Sequence, residues 1–405
     1  MYGMAELHLL SPRGFRAAGV YAGIKSKPPA DVGLLVCQAP VPAAAAFTTN
    51  KVFAAPVEIG RRHIARGRLR GVVVNSGNAN ACTGERGRRD AIRMCQVAAR
   101  VVGGEPGEYL PSSTGIIGHH LPMEKVQRGI IEAGKYLGDS CEHALLFGDA
   151  IMTTDTKRKS AAVKVRLGRS VATIAGVAKG AGMIGPRLGV AHATLLSYLT
   201  TDVQISPAVL RRLLADAAGE SFNCVTIDDH TSTNDTVAIF ASGAGDATVG
   251  AERERRAFAA ALLEVCQALA QQVAADGEGA SKLVTVRVRR AVSDAAARAM
   301  ARAIADSPLV KCAMHGNDPN WGRIVSAAGM AGVPFDPQQA VLKLQGTAVF
   351  RRGAPVAFDA AKLSGALAAA EVSVDLDCAA GTGRAVFWTC DLSRDYVAIN
   401  ADYHT

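Results

Sequence analysis

The stretch AHATLLSYLTTD (Ala191–Asp202) decides how this chain is read. It follows a Gly- and Pro-containing run and leads into an apolar segment. A threonine hydroxyl is a poor nucleophile at neutral pH unless a base lies beside it. One solution makes the threonine an N-terminus, so that its own α-amino group, with a pKa of about 7.7–8.0, serves as the base. Thr194 meets that requirement only if the chain cuts itself between Ala193 and Thr194. From this stretch alone, a buried threonine opening a helix is the simpler reading.

A cut there would divide the 405 residues into pieces of 193 and 212. The chain carries 45 basic and 36 acidic side chains, a net charge of +9. Residues 1–193 hold 26 basic and 13 acidic residues (+13), and 194–405 hold 19 and 23 (−4). Opposite signs suit two pieces that stay together. The length allows two to four domains, or one large core with an appendage. Hydrophobic residues make up 49%, enough for a sizeable core, and the 20% of charged residues argues against long disordered tails. No apolar run reaches ~18 residues without a charge, so no membrane span is read. The start, MYGMAELHLLSPRGF, lacks the basic-then-apolar pattern of a signal peptide, and a cytoplasmic location is expected. Nine cysteines, an odd number without a C-x-x-C pair, argue against a disulfide framework or a zinc ribbon and read as small buried apolar residues.

Working outward, short Val- and Ile-rich runs bounded by Gly, Asn or Asp read as strands: 33–37, 71–75, 161–167, 171–178, 236–241, 283–289, 341–344, 385–390 and 396–400. LVTVRVR (Leu283–Arg289) alternates, as a strand with one wet face should. Helical apolar stripes cover 87–102, with Gly103-Gly104 as a stop, and then 123–133. Further stripes cover 207–218, opened by Ser206-Pro207, then 252–275, 293–306 and 360–370. Between these elements lie polar, Gly-rich strings without periodicity: Val74–Gly84 (VNSGNANACTG), Ser112–Gly118 (SSTGIIG), Thr153–Thr156 (TTDT), Lys179–Ile184 (KGAGMI), Asp228–Asp235 (DDHTSTND), Gly277–Lys282 (GEGASK) and Asn317–Arg323 (NDPNWGR). Such strings suggest loops that converge on a site.

Several chemistries are disfavoured. KGAGMIGP and GEGASK match neither phosphate-loop pattern. His119, His120, His143, His192, His230 and His315 lack metal-site spacing, and Asp228-Asp229-His230 reads as a hydrogen-bonded turn rather than a hard-ligand cluster. No Gly-x-Ser-x-Gly elbow occurs. The basic run Gly60–Gly71 lacks aromatic partners and reads as a solvated face or subunit contact, not a nucleic-acid site.

Taken together and in order, the strings closely resemble the ArgJ family, the ornithine acetyltransferases of arginine biosynthesis. VNSGNANACTG, SSTGIIG, IMTTDT, KGAGMI, ATLLSYLTTD, STNDT, GEGASK and DPNWGRI are each weak alone; in series they are specific. The resemblance runs from Gly14–Lys25 to Asp395–Thr405. It implies an α/β (α+β) fold: a layered αββα sandwich of the DmpA/ArgJ-like type with a smaller C-terminal α/β domain, here divided as 1–282 and 283–405. It implies self-cleavage into 1–193 and 194–405, and acetyl transfer by Thr194 from N-acetylornithine to glutamate. Thr114 and Gly115 would form the oxyanion hole. Thr153, Lys179, Glu278, Asn400 and Thr405 would line the substrate site, with Lys179 suited to a carboxylate and Glu278 to an ammonium group. No cofactor or metal is implied; acetyl-CoA is a candidate co-substrate. The expected assembly is a heterotetramer of two α and two β chains, with no nucleic-acid or membrane partner.

The chain departs from the family pattern at Pro186–His192, which looks inserted, at Asp229-His230, and at Met314-His315 with Asn317. The rival reading is a self-processing aminopeptidase or amidase of the same fold, in which water accepts the acyl group.

Overall fold

A computed structural model of the chain describes residues 7–185 and 195–402. Ala193, Thr194, Thr405 and the insertion at Pro186–His192 lie outside the described residues. The described chain forms two compact units. One comprises residues up to Asn223 with Thr231–Leu269; the other comprises Cys224–His230 and the residues from Ala270 onward.

The first unit contains strands β1 (Phe15–Val20), β2 (Val32–Phe47), β3 (Arg68–Asn78), β4 (Tyr109–Ile116), β5 (Lys159–Leu167), β6 (Ser170–Lys179), β7 (Leu196–Thr201) and β8 (Thr236–Ala241). Its helices are α1 (Ala55–Ile64), α2 (Gly84–Val102), α3 (Met123–Lys135), α4 (Cys141–Ile151), α5 (Pro207–Gly219) and most of α6 (Glu252–Ala275). The strands run β4-β3-β2-β8-β7-β6-β5, with β1 also on β2. β2 makes both halves possible: its first part pairs with β1 and β3, its last part, Ala43–Phe47, with β8, and the register slips between Val36 and Val41.

Alternation along β2 and β3 separates two cores. Leu34, Val36 and Val73 pack with Met94, Val97 and Ala98 of α2 and Val126 and Ile130 of α3. Leu35, Val72 and Val74 face the other way, against Tyr198 of β7, Phe240 of β8 and Phe147 of α4. This gives helices over sheet over sheet. Truncating one of these leucines to alanine costs about 2–5 kcal/mol. α6 is long and apolar enough to cross a membrane by length and composition, but half of its apolar window is buried in the protein, as in a core helix.

The second unit has a six-stranded sheet built from β9 (Leu283–Ala291), β10 (Val341–Leu344), β11 (Thr347–Arg351), β12 (Ala354–Pro355), β13 (Glu371–Asp377) and β14 (Gly383–Cys390), in the order β12-β11-β10-β13-β9-β14. Helices α7 (Asp294–Asp306), α8 (Pro308–His315), α9 (Trp321–Gly329), α10 (Ala360–Leu367) and α11 (Arg394–Asp402) accompany it. Val284, Val286 and Val288 are buried while the intervening Thr285 and Arg287 are not, as the alternation of β9 requires.

Helix starts follow the caps: the hydroxyls of Ser206 and Ser293 accept the N–H groups of Val209 and Ala296, each cap worth about 1 kcal/mol. Six cysteines are buried, and Cys82, Cys141 and Cys312 are exposed; all nine are free thiols.

Some local readings fail. Residues 396–400 form part of helix α11, not a strand. Ser393 supplies the reason: its hydroxyl accepts the N–H of Tyr396 and donates to the Gly279 carbonyl, starting a helix where β-branched residues alone suggested an extended run. The segment after Thr194 is strand β7, not a helix. SSTGI lies in strand β4, and WGR opens α9.

Candidate active site

β7 and β8 are parallel and begin together: Leu196 stands opposite Thr236, and the Thr236 N–H donates to the Leu195 carbonyl at 3.0 Å. Thr194 immediately precedes Leu195 in the chain, and from Leu195 onward the stretch enters the sheet at this mouth. β6 lies on the other side of β7, with Lys179 opposite Leu196.

Thr114 and Gly115 end β4, paired in parallel with Ser76 and Gly77 of β3. Gly115 has φ +130°, and a Cβ there would stand 2.3 Å from the carbonyl carbon of Gly77. Only glycine lets the two strands approach this closely. The string Asn75–Asn80 braces the corner. Ser113 Oγ donates to Asn75 Oδ1 at 2.6 Å, and Asn75 Nδ2 to the Asn78 carbonyl at 2.9 Å. Asn234, two residues before β8 opens at Thr236, donates to the carbonyls of Ala79 (2.5 Å) and Ser113 (2.8 Å). The Ser232–Asp235 string thereby ties the Thr114 strand end to the mouth of β7 and β8.

Thr153 and Lys179 meet through a residue that sequence reasoning passed over. Asp155 Oδ2 accepts the Thr153 N–H at 3.0 Å; Asp155 Oδ1 accepts the Gly180 N–H at 2.6 Å and the Lys159 ammonium at 2.7 Å. Burial alone pushes the Asp155 carboxyl up, but the charges of Lys159 and Lys179 and these hydrogen bonds outweigh it and hold it below the usual carboxylate range. Asp235 is the opposite case. It is fully buried, and among the described residues no group meets hydrogen-bond geometry with either carboxyl oxygen. Burial drives its carboxyl well above the usual range, offset only in part by the nearby Leu195 N–H, the Lys179 charge and Ser232. Two carboxyls pushed in opposite directions beside one lysine are typical of acid–base sites.

In the second unit, Asn400 of α11 donates to Glu278 Oε2 at 2.9 Å. Gly279, at φ +69°, lets α11 dock on the GEGASK loop: a Cβ would stand 2.5 Å from the Tyr396 nitrogen. Tyr396 Oη donates to Asp228 at 3.2 Å. The far end of the loop is pinned by Asp391, which accepts from the N–H groups of Ser281 and Lys282 and from the Ser281 hydroxyl, and which bonds the His315 ring at 2.7 Å. Lys282 in turn donates to the Met314 carbonyl and to Asn317. Two of the departures from the family pattern, His315 and Asn317, therefore help to hold this loop. In a third, Asp229 is paired with Arg302.

Thr114 with Gly115, Thr153 with Lys179, and Glu278 with Asn400 are thus three local pairs, the first two in one unit and the last in the other. Asp155, Lys159, Asn234 and Asp235 were missed individually. For Asp155, Asn234 and Asp235 the signal available was their place inside the TTDT and STND strings; Lys159 lies outside both and carried none. Among the described residues no cluster of three His, Cys, Asp or Glu side chains could hold a metal. An open hollow on β9, β10, β11 and β13, lined by Arg289, Lys343, Arg351, Asp375 and Asp377, contains none of the site residues.

Polar strings gathered at strand mouths and at one loop–helix corner, on sheets flanked by helices, define an α/β enzyme. The model of the ArgJ family matches residues 16–405, and the chain belongs to that family. The arginine biosynthesis bifunctional protein ArgJ of Dehalococcoides mccartyi is 44% identical over 98% of this chain and 97% of its own length. That of Symbiobacterium thermophilum is 45% identical over 98% of each. The crystal structure of the argJ protein from Bacillus halodurans matches with a TM-score of 0.49 and 37% identity, over 50% of this chain and 97% of that chain.

Proposed function

We propose that the chain is an arginine-biosynthesis acetyltransferase that moves the acetyl group of N-acetylornithine to glutamate by way of Thr194. Family membership across nearly the whole chain carries this reading, and in the sequence Thr194 follows Ala193 two residues ahead of the start of β7. In the precursor, the Thr194 hydroxyl attacks the Ala193 carbonyl and the Thr194 nitrogen leaves as an amine. Water then hydrolyses the resulting ester, giving chains 1–193 and 194–405. In turnover, the freed α-amine takes the hydroxyl proton as Thr194 attacks the acetyl carbonyl, then gives it to the departing α-amine of ornithine. Glutamate takes the acetyl group by the reverse sequence. Thr114 and Gly115 stabilise the oxyanion. Thr153, Lys179, Glu278, Asn400 and Thr405 bind the amino-acid frame that both substrates share. Relatives bear the name bifunctional, and the second activity we propose is acetylation of glutamate from acetyl-CoA. The mature protein is proposed to be a cytoplasmic heterotetramer of two chains of each kind.

The test supplies purified protein with glutamate and either acetylornithine or acetyl-CoA and measures N-acetylglutamate. Product from acetylornithine is expected. Hydrolysis to acetate without N-acetylglutamate would replace this reading with the amidase one. Product from acetyl-CoA decides the second activity independently.

A further inference from the structure

Asp155 has a position that the reaction scheme does not use. Its side chain is 0% exposed and that of Lys159 1% exposed. One carboxylate accepts from three donors on two separate segments: Thr153 N–H and Lys159 Nζ from the stretch that opens β5, and Gly180 N–H just past the end of β6. Thr153 and Lys179 are the proposed substrate contacts that flank those amides. A buried carboxylate is costly unless it is paired and fully hydrogen-bonded, and Asp155 is both.

We propose that Asp155 is a positioning residue for substrate recognition: it clamps the Thr153 and Gly180 backbones in one geometry, so that Thr153 and Lys179 present a preformed cradle to the amino-acid substrate. The proposal rests on the acetyl-transfer reading for its kinetic consequence, but not for the clamp. Lys159 has a separate task, which is to neutralise Asp155. The two tasks can be told apart. Asp155→Asn removes the charge and turns one acceptor into a donor, leaving Lys159 buried beside an amide. Asp155→Asn/Lys159→Met removes both charges of that ion pair, so that no Lys159 ammonium is left buried beside an amide, while Lys179 keeps its charge. Asp155→Glu keeps the ion pair and displaces the carboxylate by one methylene.

Two readouts are needed. The first is steady-state kinetics with acetylornithine and glutamate. Misplacing a substrate contact by about 1 Å costs up to ~10²-fold, so KM for both substrates is expected to rise about tenfold or more in Asp155→Glu and in the double variant, with a smaller fall in kcat. The second is amide hydrogen exchange at Thr153 and Gly180, expected to accelerate at both sites together. If Asp155→Asn does not fold, the double variant, whose melting temperature should lie nearer the wild type, supplies the result. Unchanged KM and unchanged exchange in Asp155→Glu and the double variant would overturn the clamp and leave Asp155 as a counter-charge only. A wild-type enzyme that makes no N-acetylglutamate, with variants that still lose protection at both amides, would overturn the acetyl-transfer reading and keep the clamp.

Discussion

Asp235 is the residue whose environment most contradicts its chemistry. In the unfolded chain its carboxyl titrates near the ordinary value of about 3.9; in the folded protein burial raises it well above that. Between those two values the folded state keeps a proton that the unfolded chain has released, so this group makes stability fall as pH rises, by about 1.4 kcal/mol per pH unit. Below the unfolded value the contribution is complete. Asp235→Asn removes the titration. Melting temperatures across pH 4–8 should show the variant gaining on the wild type as pH rises; a gap that does not change with pH would mean that Asp235 ionises normally. At Thr194 the expectation is sharper because hydroxyl and base are one residue. Thr194→Ala should abolish both cleavage and turnover, while Thr194→Ser retains part of each, read by intact mass and by N-acetylglutamate formation. Turnover in the alanine variant would remove Thr194 from the mechanism.

Two element ends are held by close approaches that tolerate no side chain. At the end of β4, Gly115 faces Gly77 of β3 across a gap that a Cβ would close to 2.3 Å. Gly115→Ala must move the strand end, and left-handed strain adds a cost of about 1–3 kcal/mol. We expect kcat to fall by ~10²-fold or more, the scale of losing one oxyanion donor. Thr114→Ala should show the same pattern in kcat with little change in melting temperature. A KM effect alone would reassign both residues to substrate binding. At α11 the corresponding contact is Gly279 against the Tyr396 nitrogen. Gly279→Ala should lift the helix off the GEGASK loop and break the Glu278–Asn400 bond, raising KM more than it lowers kcat. Unchanged KM would take that pair out of the binding site.

The whole molecule explains why two chains would stay together after a cut before Thr194. β7 and β8 would belong to the second chain, yet in the sheet they lie between β6 and β2 of the first. Separating the chains means breaking β6–β7 along Ile174–Lys179 and β2–β8 along Ala43–Phe47. The charges of +13 and −4 favour the same outcome. Denaturing gels should show two bands of similar size, the larger starting TLLSYL, that co-elute as one species in native buffer and part only on unfolding. One intact band from active enzyme would defeat the cleavage reading. Because the acetyl group would be parked on Thr194, double-reciprocal plots should be parallel; intersecting lines would require both substrates to bind together.

The sequence by itself determined the elements whose periodicity is local and strong: the apolar stripe of α6, the alternation of β9, the Ser206 and Ser293 caps. It also determined the order of the polar strings that identify the family. Thr114, Gly115, Thr153, Lys179 and Glu278 are members of those strings, and Asn400 lies in the terminal stretch Asp395–Thr405. It did not determine that SSTGI is the end of a strand, because β4 takes its hydrogen bonds from β3 and its glycine from the close approach of Gly77, neither visible in the stretch itself. It misread residues 396–400 for the same reason: Ser393 and Gly279, not residue propensity, make α11. Nor could it assign Asp155 and Asp235 opposite electrostatic states. A carboxyl's protonation depends on burial and on charges brought near by other strands. Lys159 lies four residues from Asp155, but Lys179 reaches both acids only because β6 runs beside β5 and β7, and Asp235 is sealed from water only by the assembled sheet.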